Sequence, residues 1–135
     1  MSPQQALFTY FRLELEKICP VYDGAMPPSS AKYPFIYLAE TTQTGNKLTK
    51  HTHLKTGRVS IGVHVWVGST RQRGTLYDIM NTVGELARNL TKLENYRLIY
   101  KSDDHTILPD TTTGTALLHG VVLLNYEFYE HKGEN

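Results

Sequence analysis

Two histidines one residue apart, His51 and His53, sit in the stretch NKLTKHTHLKTGR that runs from Asn46 to Arg58. On an extended segment their side chains point the same way, which two imidazoles sharing one zinc ion require. A catalytic zinc site takes about three protein ligands and a structural one about four. The stretch contains no Asp, Glu or Cys, and His64, His105, His119 and His131 are scattered over the rest of the chain. The pair alone is therefore no metal site, and no metal or cofactor is predicted. A solvated loop accounts for both histidines, which are uncharged for most of the time at neutral pH and gain charge below about pH 6.5.

The same stretch is basic. Between Glu40 and Asp78 the chain carries Lys47, Lys50, Lys55, Arg58, Arg71 and Arg73 and no acidic residue. On a surface loop, the first four suit phosphates or an acidic protein surface. Aromatic residues interleaved with the cations, the sign of stacking on single-stranded nucleic acid, are missing. Assembly contacts or non-specific electrostatic contacts are the functional readings, beside plain solvation.

Other constellations offer less for catalysis. Cys19 follows an amphipathic segment and precedes Pro20, a setting for a thiol that packs inward. Asp103, Asp104, His105 and Asp110 form an acid and histidine cluster, but in a turn-rich stretch Asx-type hydrogen bonding explains aspartates equally well. The segment TTQTGNK lacks the glycine spacing and the closing Ser or Thr of a phosphate loop. With no organised acid and base pair, no catalytic residue is predicted and the chain is read as a non-enzyme.

The elements that would position these residues follow from periodicity. Ser2 is a helix cap with Pro3 behind it, and Leu7, Phe8, Phe11, Leu15 and Ile18 recur at helical spacing. Turn formers fill the connection from Pro20 to Pro34, with Asp23-Gly24 and Pro27-Pro28 as stops. FIYLAET reads as a strand. In RVSIGVHVWV, the alternation of Val59, Ile61, Val63, Val65 and Val67 with Ser60, Gly62, His64 and Trp66 reads as its antiparallel neighbour. Between them lies an extended loop at about 42–58. Thr75 and Asp78 suggest a capping box opening a second helix that runs to Leu93, with Leu76, Ile79, Met80, Val83, Leu86, Ala87 and Leu90 as its stripe. NYRLIYK and LLHGVVLLNYEFYE read as two later strands, joined by a loop from Ser102 to Thr115. The last strand is apolar on both faces, which suits an interior strand covered by helices on one side and by loops or a partner subunit on the other.

The predicted fold is α+β: two helices packed on one face of a mainly antiparallel four- to five-stranded sheet, with long inter-strand loops. The chain's 135 residues predict one domain over 1–135. Its 14 Lys and Arg against 13 Asp and Glu give no overall charge bias of a dedicated nucleic-acid binder. A single cysteine excludes an intrachain disulfide framework and suits a reducing compartment. No apolar run approaches the roughly 20 residues that span a bilayer, and no signal core opens the chain. A soluble, cytoplasmically made protein is expected, without membrane contact. Of its nine tyrosines, Tyr33, Tyr37, Tyr96, Tyr100, Tyr126 and Tyr129 fall in or near predicted strands, where rings bury area and hydroxyls reach a wet edge. Tyr126, Phe128 and Tyr129 are the candidate anchors of a subunit contact.

The order of VYDGAMPPSSAKYPFIYLAE, RVSIGVHVWV, the second helix and LLHGVVLLNYEFY resembles the tail-completion, or tail-terminator, proteins of long-tailed bacteriophages. The resemblance covers roughly 7–129 and rests on Val21-Tyr22-Asp23-Gly24, Tyr33-Pro34 before a strand, and Leu118-His119-Gly120 before the closing strand. It implies a structural virion assembly protein, a hexameric ring that caps the head-proximal end of the tail tube and joins the tail to the head connector. The partners implied are further copies of the chain, the major tail tube protein and a head connector or head-completion protein, with transient non-specific contact to the passing DNA. The implied location is the virion tail, after synthesis in the host cytoplasm. The 46–58 stretch departs from the simplest family pattern and is read as a loop used in assembly. Lys47, Lys50, His51, His53, Lys55 and Arg58 join the three aromatic anchors as candidate contacts. A small nucleic-acid-binding module and a metal-dependent hydrolase are the alternatives.

Overall fold

The computed structural model describes residues 1–24, 27–28, 30–45, 56–110 and 117–130. Ser2 Oγ accepts the backbone N–H of Gln5 at 3.0 Å and Pro3 occupies the first turn, so helix α1 (Pro3–Leu15) starts where the sequence places it. Ser2→Ala is expected to cost about 1 kcal/mol, read as a lower urea midpoint with an unchanged slope.

After α1 the chain forms a short strand β1 (Val21–Asp23) and then β2 (Phe35–Gly45) and β3 (Thr56–Val67). Gly24 closes β1 with a φ of +71°, a conformation that glycine adopts without steric cost. A 3-10 turn (Thr70–Gln72) leads into helix α2 (Arg73–Asn89), followed by β4 (Lys92–Leu93), β5 (Tyr96–Asp110) and β6 (Leu117–Glu130). The strands form a six-stranded sheet in the order β1-β2-β3-β6-β5-β4. β1 runs parallel to β2, and every other pairing is antiparallel. A helix thus precedes each of two long hairpins, and the hairpins meet through β3 and β6 at the centre of the sheet.

Both helices lie on the same side, α1 over β2 and β3, α2 over β3, β6 and β5. The core between them joins Leu7, Phe11 and Leu15 of α1 and Leu76, Met80 and Val83 of α2 to one alternating set on each strand, including Val59 to Val67 and Val122 to Phe128. Two glycines let α2 come close. A Cβ on Gly84 would lie 2.6 Å from Asp103 Oδ2, and one on Gly120 would lie 2.5 Å from Met80 Sδ.

The α+β class, the helix pair on one sheet face and the interior position of the last strand agree with the sequence reading. Several boundaries differ. The two extra strands are short edge pieces that carry no hydrophobic alternation of their own. Helix α2 starts at Arg73 rather than Thr75, with no side-chain cap, because it continues from the 3-10 turn. It stops at Asn89, and Leu93 belongs to β4. The segment 102–110, read as loop, is the second half of β5, held in register by β6 from Ser102↔Asn125 to Asp110↔Leu117. Of the loop read at about 42–58, 42–45 belong to β2 and 56–58 to β3, and 46–55 lie outside the described residues.

Candidate functional site

The side of the sheet opposite the helices carries the surface chemistry. In a strand, alternate side chains share a face, so β3 places Arg58, Ser60, His64 and Trp66 there, and β6 adds His119, Val121, Leu123, Asn125, Glu127 and Tyr129. Bulges between Leu38 and Thr41 and between Tyr100 and Ser102 reset the alternation in the two flanking strands. Phe35, Tyr37, Thr42 and Thr44 of β2 and Ile99, Ser102, Asp104, Thr106 and Leu108 of β5 complete the surface.

One end of this face is aromatic. Register sets Phe35, Trp66 and His119 side by side across three strands. Trp66 stacks on His119 with ring centroids 4.0 Å apart and planes 8° from parallel, and on Phe35 at 6.4 Å. Tyr33 extends the row, 5.3 Å from Phe35, just before the cis Tyr33–Pro34 peptide. His64 Nδ1 and His119 Nε2 lie 2.7 Å apart, so one imidazole N–H donates and the other ring's bare nitrogen accepts. The fold thus joins two histidines that sit on separate strands and looked unrelated along the chain. Among the described residues no group of three or more His, Cys, Asp or Glu is placed to hold a metal ion.

The other end is polar. Thr44, Arg58, Ser60, Lys101, Asn125 and Glu127 line a shallow concavity of about 390 Å³. Lys101 Nζ lies 4.0 Å from Glu127 Oε2, and Asn125 Nδ2 donates to Ser102 Oγ at 3.1 Å and Asp104 Oδ2 at 3.2 Å. Ile99, Leu108, Leu123 and Tyr129, spread along this face from the polar end to the aromatic end, are 36–47 % exposed.

The acid and histidine cluster at 103–110 is split by strand alternation. Asp103 and His105 face α2, where the Asp103 carboxylate, 7 % exposed, takes Arg88 Nη2 at 3.4 Å and His105 Nε2 at 2.6 Å and accepts the Tyr100 hydroxyl. Asp104 points to the opposite face. The Asp103 group ties β5 to α2, and the Asp103 and Asp104 carboxylates lie on opposite faces of the sheet. Cys19 packs against the core, and burial pushes its thiol up to about 11. The thiol is therefore protonated at neutral pH, and a disulfide reagent at pH 8 is expected to modify the native protein far more slowly than the urea-unfolded chain.

The nine contact candidates fall into three groups. Lys47, Lys50, His51, His53 and Lys55 lie outside the described residues. Arg58 and Tyr129 are exposed on the open face. Tyr126 and Phe128 are 1 % and 3 % exposed on the helix-covered side of the sheet, so within the folded subunit they offer no surface to a neighbour. Alternation with Val122 and Leu124 already put them on the buried side, and Tyr129 on the other. The aromatic row is the feature that sequence reasoning missed; its signal was the pairing of β3 with β6, which cannot be read from either strand alone. The chain matches no protein-family model and no curated protein.

Proposed function

We propose that the protein is a tail-terminator subunit, a structural virion component that closes the head-proximal end of a phage tail tube as a hexameric ring and joins the tail to the head connector. The observation that carries this reading is the half-covered sheet. Its helices protect one face, and the other keeps Ile99, Leu108, Leu123 and Tyr129 exposed and carries an aromatic row at one end. Apolar and aromatic side chains gathered on one surface favour burial against another protein. The family resemblance supplies the specific assembly. In this reading the chain performs no reaction and needs no cofactor. Its partners are further copies of itself, the tail tube protein and a connector or head-completion protein.

Intact tails test it. Mass measurement and negative-stain images are expected to find a hexameric ring of this chain at the head-proximal end, and tails made without it should fail to join heads. Absence of the chain from mature tails, or a monomeric copy bound elsewhere in the virion, overturns the assignment.

A further inference from the structure

A sheet has two edges as well as two faces, and here, among the described residues, much of both edges is unpaired. Strand β1 pairs with β2 only at 36–38, and β4 pairs with β5 only at 96–97. Among the described residues, no strand pairs with the outer edge of β2 beyond Leu38 or of β5 beyond Arg97. An unpaired row of backbone N–H and C=O groups is a template for another strand.

Two features make the fitting strand the opposite edge of a second copy. The first is direction. β2 is antiparallel to β3, β3 to β6, and β6 to β5, so β2 and β5 run in opposite directions. Two copies standing the same way up therefore set β2 of one beside β5 of the next as an antiparallel pair, without inverting either.

The second is level. Tracing the register across the sheet puts Thr44 in line with Arg58, Glu127 and Ile99, and Thr42 in line with Ser60, Asn125 and Ser102. The open part of β2 and the open part of β5 thus sit at the same height, each beyond its short covering strand.

We infer that subunits associate head to tail by edge pairing, β2 of one copy continuing the sheet through β5 of the next. A contact between two different surfaces generates a ring when its rotation closes, so this inference rests on the ring reading and names its joint. Pro109 near the far end of β5 limits the ladder there, because proline gives no backbone donor.

Disulfide trapping tests it in the full chain with Cys19→Ser to remove the native thiol. Thr44→Cys with Ile99→Cys, and Thr42→Cys with Ser102→Cys, are the pairs the level predicts; Thr42→Cys with Thr106→Cys covers a stagger. Circular dichroism checks that each surface variant is folded. On mild oxidation at least one double variant is expected to give a covalent ladder rising to the hexamer, while single variants stay monomeric. Native mass spectrometry of the parent chain across concentrations is run alongside, with intact tails as a second source. A ring seen there with no ladder from any pair overturns edge pairing and leaves the ring standing. Covalent dimers from single variants overturn the head-to-tail order. A monomer at every concentration and in tails overturns the ring reading, and edge pairing with it.

Discussion

Tyr126→Ala is expected to destabilise the protein by about 3–5 kcal/mol, the range for emptying a buried aromatic site. The ring is 1 % exposed and T-shaped against Tyr100 at 6.2 Å. Its hydroxyl donates to the Ala87 carbonyl at 2.7 Å, one of the last carbonyls of α2, which also accepts the Leu90 N–H at 3.3 Å. Tyr126→Phe keeps the volume and loses only that bond, so about 1 kcal/mol is expected. Urea unfolding followed by circular dichroism separates the two variants. A Tyr126→Ala protein with the parent midpoint would return this side chain to the list of subunit contacts. The same burial gives a pH signature. Desolvation, with Tyr10 and Asp103 nearby, pushes the Tyr126 phenol well above its usual range, and burial also raises Tyr10 and Tyr96. Folded-state values above the unfolded value of about 10 mean that the native state holds protons the unfolded chain releases. The contribution is complete below about pH 10 and is lost as pH rises beyond it. The Cys19 thiol, raised by burial to about 11, acts with the same sign from the ordinary thiol range upward, so the urea midpoint should hold level at neutral pH, begin to fall near pH 9 and fall more steeply above pH 10.

The helices and central strands were legible because their patterns are local. Leu76, Ile79, Met80, Val83 and Ala87 describe one helical stripe whatever they pack against, and Val59 to Val67 alternate whatever lies beside them. The far half of β5 was not legible, because its information lies in its partners. Ser102, Asp103 and Asp104 are turn formers by local preference, and here they are strand residues because β6 supplies the ladder and Arg88 and His105 take the Asp103 carboxylate. The start of α2 failed for a related reason: Thr75 and Asp78 have the spacing of a capping box, but the preceding 3-10 turn had already begun the helix. The open face was half legible. That the last strand has a second apolar face was visible in LLHGVVLLNYEFYE; that Trp66 would stack on His119 needed the β3–β6 register. The grouping of Tyr126 and Phe128 with Tyr129 treated three aromatics as one patch, whereas a period of two divides them between core and surface.

On the proposed tail-terminator reading, replacing Leu108 with Asp is expected to abolish docking of the ring onto its axial partner while leaving the ring itself intact. Leu108 is 46 % exposed and lies opposite His119 on β6, at the aromatic end of the open face and six residues along β5 from Ser102, which is level with the open part of β2. A carboxylate there introduces a charge that an apolar contact must desolvate, and loss of a central contact of this kind costs on the order of 2 kcal/mol or more, about 30-fold in affinity. Its own exposure keeps the folding cost small. Trp66 provides the readout, because it is the chain's one tryptophan and sits in the same row, stacked on His119. Burial of this end by a partner should shift Trp66 emission to shorter wavelength when the protein is mixed with tail tubes or with head connectors, and the partner that produces the shift identifies which ring this end meets. The Leu108→Asp protein should show no shift at concentrations where the parent is saturated, and should join tails to heads at a small fraction of the parent yield. Trp66 emission that stays constant with both partners, together with full joining by Leu108→Asp, would mean that the aromatic end faces solvent in the assembled tail and that docking uses another surface.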